Sequence, residues 1–123
     1  MIDPVKVSER AKNQLITLKR RTGVENWNVL CRYALTRSVA EPSVPPEEHI
    51  PLDSNIEMSW KTFGGEYADV YEQLMRHRVA TDYPDASEDV LRRQFYLHLH
   101  RGISYLMADK QSLSCDLVKL SEG

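Results

Sequence analysis

Long apolar runs are missing from this sequence of 123 residues, and none approaches the roughly 18–20 residues that cross a bilayer. The opening MIDPVKVSER also lacks the apolar stretch of a secretory signal. Cysteine is scarce: Cys31 and Cys115 alone cannot build a disulfide framework, so a reducing cytoplasmic setting is expected. No G-x-x-x-x-G-K-[ST] phosphate loop occurs, and Gly64-Gly65 stands without the rest of a dinucleotide fingerprint. A metal pair on a helix needs i,i+3 or i,i+4 spacing, whereas His98 and His100 stand ~200° apart around a helix. His49 and His77 have no ligand partner close in sequence. Neither a membrane partner nor P-loop chemistry is expected, and neither a metal nor a cofactor.

Charge is present in quantity and unevenly spread. The net formal charge is −2, yet residues 1–37 carry eight cations against three anions, a net of +5. The remainder carries eight cations against fifteen anions, a net of −7. Such asymmetry points to an anionic partner for the front third, although a solvated helix face accounts for many single charge runs. The densest positive stretch is LKRRTG, where Lys19, Arg20 and Arg21 precede a helix-stopping glycine. A helix C-terminus favours cations, so part of this charge has a local cause.

Local patterns lay out one mainly α domain over residues 1–123, in three stretches. In residues 1–39, Val5 and Val7 flank Lys6 as a short strand. Ser8 then caps a first helix whose stripe is Ala11, Leu15, Leu18 and Thr22. Gly23 closes that helix, with Val24 supplying the apolar contact that accompanies such a cap. Asn26 opens a second helix to about Val39, with Leu30, Cys31, Ala34 and Leu35 in one arc. Residues 40–65 are a Pro-rich loop, with Ile56, Met58 and Trp60 alternating as a second short strand.

Residues 66–123 are helical. A helix from Glu66 to about Val79 offers Tyr67, Val70, Tyr71, Leu74 and Met75 on one face, with Glu72 and Arg76 paired. Ser87 caps a longer helix to about Ala108, striped by Leu91, Phe95, Leu99, Ile103 and Leu106. Gly102 lies on that stripe, where glycine costs about 1 kcal/mol against alanine, so a partner helix is expected to approach closely there. Leu113, Leu117 and Leu120 suggest a short closing helix.

Strand, capped helix, glycine turn and helix is the order found in ribbon–helix–helix proteins. A lone short strand cannot bury its valines, so pairing with a second chain is expected. In that arrangement Pro4, Lys6 and Ser8 face outward, and only Lys6 is a good DNA contact. Several outward polar side chains are needed to read base edges, so contact with phosphates is expected instead of sequence reading.

The motifs VKVSERAKNQLITLKRRTGV, NVLCRYAL, WKTFGGEYADVYEQL and HRGISYL, in that order, make the whole chain resemble the DndE family of DNA sulfur modification proteins. The resemblance implies a helical, ribbon–helix–helix-like subunit of a bacterial phosphorothioation complex, in which sulfur replaces a non-bridging phosphate oxygen. It implies a cytoplasmic homo-oligomer, a tetramer, that binds duplex or nicked DNA without catalysing a reaction itself. Its partners would be the sulfur-transfer enzyme and the ATPase of the system. The matching basic positions are Lys12, Lys19, Arg20 and Arg21, joined by Arg32 and Arg37 on the second helix and Lys6 on the strand. Ile16, outward between Lys12 and Lys19, suggests that this face also packs on a neighbouring subunit.

Other residues invite chemistry with less support. Cys31 falls in an apolar arc and reads as an inert buried thiol, and Cys115 has no neighbour to activate it. Asp85, Glu88 and Asp89 sit at a helix start, where the dipole explains them. Trp27 and Trp60 could stack on bases, against the commoner fate of burial. His98 reads as a core-edge histidine with one hydrogen bond, and Arg101 as a partner in a structural ion pair. The rival readings are a ribbon–helix–helix regulator or antitoxin, a protein-only scaffold using the acidic back portion, and an enzyme using Cys31.

Overall fold

A computed structural model describes residues 2–109; the expected closing helix and Cys115 lie outside them. The elements are β1 (Val5–Lys6), α1 (Glu9–Thr22), α2 (Trp27–Val39), β2 (Glu57–Met58), α3 (Trp60–Gly64), a 3-10 turn (Gly65–Tyr67), α4 (Ala68–Asp82) and α5 (Glu88–Ala108). The mainly helical class and the strand–helix–helix start are as expected from the sequence.

The local signals act as their chemistry dictates. Ser8 Oγ accepts the Ala11 N–H at 3.0 Å, and Ser87 Oγ accepts that of Val90 at 3.3 Å, so each satisfies a first-turn donor. Ala11, Leu15, Leu18 and Thr22 are the buried face of α1. Gly23, at φ 75°, ends the helix by donating its N–H to the Lys19 carbonyl. That left-handed conformation disfavours a side chain, which is why glycine stands there. Asn26 occupies the cap position of α2, but its side chain makes no capping bond.

Three expectations about the elements are corrected. First, β1 pairs antiparallel with β2 of the same chain, Val5 opposite Met58 and Lys6 opposite Glu57. The Pro-rich loop returns the chain to β1, held by Asp53 accepting the Glu9 N–H and by Ser54 Oγ donating to the Val7 carbonyl. Val5 and Val7 are thus fully buried within one chain. Second, Trp60 does not continue the strand. Ser59 accepts the Thr62 N–H at 3.0 Å and starts α3, an extra helix whose buried Trp60 and Phe63 join Phe95 in an aromatic cluster. Third, only part of the apolar face of α4 is covered. Met75 and Val79 are buried, whereas Tyr67 and Val70 are 60% and 61% exposed.

Helix α5 is the axis of the molecule. All seven residues from Gln94 to His100 are buried, because α1, α2, α4 and the β1 segment cover the helix all round. Its closest neighbour is α2. At Gly102 an added Cβ would fall inside the carbonyl group of Ala34 and 2.9 Å from its Cα, which is the close approach that the glycine signals.

Beneath the end of α2 lies a polar lock that the sequence patterns did not disclose. The Arg78 guanidinium donates to the carbonyls of Val39, Glu41, Pro42 and Ser43, and its Nε bonds Asp82 at 2.7 Å. Arg101 donates to Ser38 Oγ, the Ser38 carbonyl and Ser43, so it anchors the loop through hydrogen bonds and enters no ion pair among the described residues. His98 is wholly buried, not at the core edge, with Nδ1 2.8 Å from Ser38 Oγ. The i,i+4 spacing of Arg78 and Asp82 was the one signal of the lock in the sequence.

Candidate nucleic-acid interface

Consecutive helical residues point about 100° apart, so Lys19, Arg20 and Arg21 cannot share one direction. Lys19 leans toward α2, its Nζ 4.1 Å from the centre of the Trp27 ring. Arg20 is exposed and enters no ion pair among the described residues. Arg21, also exposed, donates from Nη1 to the Met107 carbonyl at the end of α5, at 3.3 Å. Lys12 stands two turns before Lys19, on the same side of α1 and about 10 Å along the axis. It meets Glu9 at 4.0 Å, a distant surface pair that leaves the ammonium able to meet another anion. Ile16, 38% exposed, lies between them. Lys12 and Lys19 therefore share one side of α1, half-buried beside its buried stripe, while Ile16 and the exposed Arg20 lie further round, Arg20 opposite the stripe.

The other expected contacts belong elsewhere. Lys6 is half-buried and stands opposite Glu57, so the ribbon offers one charge of each sign. Arg32 donates to the Phe63 carbonyl at 3.0 Å and ties α2 to the end of α3. Arg37 pairs with Asp109 at 2.8 Å and lies over the Tyr105 ring, which fastens α2 to the end of α5. Its hydrogen bond to Asp109 raises its pKa further and keeps the charge engaged. The structure thus sets two of the seven expected cations, Lys12 and Lys19, on one side of α1, with the exposed Arg20 about 100° further round. It sets Arg21 on the flank and gives Arg32 and Arg37 work within the fold.

Beside this face a cleft of about 470 Å³ opens between α1, the start of α2 and the β2–α3 segment. Lys12, Trp27, Asn26, Asn28, Asn55, Glu25 and Glu57 are among its walls. Sequence reasoning named Trp27 but missed the asparagines, which carry no spacing signal. Trp60, the other tryptophan, is buried with its indole N–H donating to the Ala68 carbonyl.

Redox or acid–base chemistry has little footing nearby. Burial pushes the Cys31 thiol up to about 12, against a smaller opposing effect of Arg32, so the reactive thiolate is disfavoured at neutral pH. Burial also holds His98 down at about 4, with Arg78 and Arg101 adding to the effect. His100 is lowered mainly by burial. Its Nδ1–H donates to the Tyr96 carbonyl while Nε2 accepts the Ser8 N–H, an arrangement only the neutral ring can make. Among the described residues no group of three or more His, Cys, Asp or Glu is placed to hold a metal ion.

Comparison with known proteins matches this architecture. The family model of the DNA sulphur modification protein DndE matches residues 4–114. A crystal structure of DndE from Escherichia coli B7A, described as involved in DNA phosphorothioation modification, superposes with a TM-score of 0.70 at 25% identity, covering 86% of this chain and 97% of that one. The structure of a DndE G21/24K mutant gives a TM-score of 0.67 at 22% identity, over 88% of this chain and 99% of the other. A search of curated proteins gave no significant match. With most of its length matched by one family model, and a fold shared with solved members, the chain belongs to the DndE family.

Proposed function

We propose that this chain is a non-catalytic DNA-binding subunit of a bacterial DNA phosphorothioation complex. It contacts duplex or nicked DNA through phosphates, with little sequence preference. The observation that carries this reading is the basic solvent side of α1, where Lys12, Lys19 and Arg20 make no ion pair closer than the 4.0 Å of Lys12 and Glu9 among the described residues. Lysine and arginine on an exposed helix face neutralise phosphates and release counterions, a term indifferent to sequence. The ribbon, with Lys6 facing Glu57, is a poor reader of base edges, which weighs against a regulator or antitoxin. The buried Cys31, with its raised pKa, weighs against a sulfur-carrying enzyme.

The subunit acts in the cytoplasm as a homo-oligomer, a tetramer, beside the sulfur-transfer enzyme and the ATPase of the system. A scaffold role on the acidic side is compatible with this reading. Its support is the exposed pair Tyr67 and Val70 next to Glu66 and Asp69.

The test is the triple change Lys19→Ala, Arg20→Ala and Arg21→Ala, measured by fluorescence anisotropy on several duplex sequences across a salt series. Binding should weaken on every sequence, and the salt slope should fall by roughly one for each phosphate no longer neutralised. Arg32→Ala, which removes a tie to α3, should leave the slope unchanged. An unaltered slope in the triple variant would sink the assignment.

A further inference from the structure

We infer that the cleft beside α1 is a second DNA subsite, which takes a single unstacked nucleotide, its base against Trp27 and its phosphate on Lys12 and Lys19. This rests on the DNA-binding reading above and extends it from the helix face to a defined pocket. At about 470 Å³ the cleft lies within the size range of small-ligand sites. Trp27 is half-buried in its wall, with the Lys19 ammonium over the ring. That contact is a weak one at an exposed site, and a stacked base would be a stronger occupant of the ring face. When the base enters, Lys19 moves from the ring to the phosphate, so both partners exchange a weaker contact for a stronger one.

The remaining walls suit a base edge. Asn28 donates from Nδ2 to the Thr62 carbonyl, which fixes its amide and leaves Oδ1 as an acceptor. The Asn26 side chain is not used as a helix cap. Asn55 is exposed and its side chain makes no hydrogen bond among the described residues. Side-chain amides pair with the donor and acceptor edges of bases. Glu25 and Glu57 line the cleft with Lys12, and Lys19 adds a second cation from above the Trp27 ring. The two carboxylates disfavour a polyphosphate. The carboxylates accept from exocyclic amines, so cytosine and adenine should be held in preference to thymine.

The experiment compares the wild type with Trp27→Leu and Asn55→Asp, using a deoxycytidine hexanucleotide and a short blunt duplex at one fixed salt concentration. Trp27→Leu should weaken hexanucleotide binding at least roughly fivefold, the loss of one stacked base, while duplex affinity stays within about twofold. Asn55→Asp adds a carboxylate at the mouth without touching the core, so it should weaken the hexanucleotide even if Trp27→Leu folds poorly. Unchanged hexanucleotide affinity in both variants, with duplex binding intact, would overturn the cleft and leave the helix face standing. A wild type that binds neither probe would overturn both. Equal weakening of both probes by Asn55→Asp would also count against a separate subsite.

Discussion

Gly102→Ala is the sharpest test of how this fold is held together, because two effects of known sign oppose each other there. In an exposed helix interior the change would stabilise by about 1 kcal/mol, since alanine restricts the unfolded chain and favours the helix. Here the new Cβ would land within the Ala34 carbonyl, a backbone group that cannot rotate away. Helices α2 and α5 must therefore separate. Around that point the separation loosens the packing of Leu30, Ala34 and Leu35 against Phe95, Leu99 and Ile103, all of which are fully buried in one core cluster. Opening a packed interface by 0.5–1 Å forfeits roughly a quarter to a half of each dispersion well. Overpacking costs of about 1–3 kcal/mol, occasionally more, are the measured consequence of such insertions.

The overlap here is with main chain, so the upper end applies, and after the opposing helix gain a net loss of about 2 kcal/mol is expected. Urea unfolding followed by circular dichroism should show it, and thermal unfolding should give a Tm lower by about 10 °C. Gly23→Ala is the control. Its Cβ would meet nothing within 4 Å, but φ is +75°, so it should cost about 1–2 kcal/mol through the backbone. If Gly102→Ala proved as stable as the wild type, the closeness of α2 and α5 would be refuted.

The buried polar groups supply two more tests. Because His98 is held at about 4 while an unfolded histidine titrates near 6.5, only the unfolded chain takes up a proton as pH falls between them. Stability should therefore be full above about pH 7 and decline by roughly 3 kcal/mol toward pH 4, with His100 acting in the same direction. Urea midpoints measured from pH 8 to pH 4 should show this, and a flat profile would contradict the burial of both rings. Arg78→Met should destabilise by about 3–5 kcal/mol, since it strips four carbonyls of their donor and leaves Asp82 unpaired. Adding Asp82→Leu should recover part of the loss, and a single variant as stable as wild type would contradict the lock.

Much of α1 is legible in the amino-acid pattern alone. Ser8, the stripe Ala11–Leu15–Leu18–Thr22 and Gly23 all act within a few residues of themselves, through capping, helical period and positive φ. The long α5, its Ser87 cap and the meaning of Gly102 are legible for the same reason. The face of α4 is not. Its apolar spacing is real, but nothing local says that Met75 is covered while Tyr67 and Val70 are left to solvent. The pairing of β1 with β2 is hidden too, because valines in a short strand announce a need for a partner and not where in the chain it comes from.

The candidate interface divides along the same line. The sequence by itself determined that positive charge gathers on the first helix, that its last turn is cationic, and that no P-loop machinery accompanies it. These are properties of composition and of interactions at short separation. Only the tertiary structure decided which cations the fold engages: Arg20 enters no ion pair among the described residues, whereas Arg21, Arg32 and Arg37 are bonded to Met107, Phe63 and Asp109. Those partners are 31 to 86 residues away in the chain, and no periodicity reaches that far. A long, flexible charged side chain goes to whichever carbonyl or carboxylate the packing of helices brings within reach, so its role is settled last.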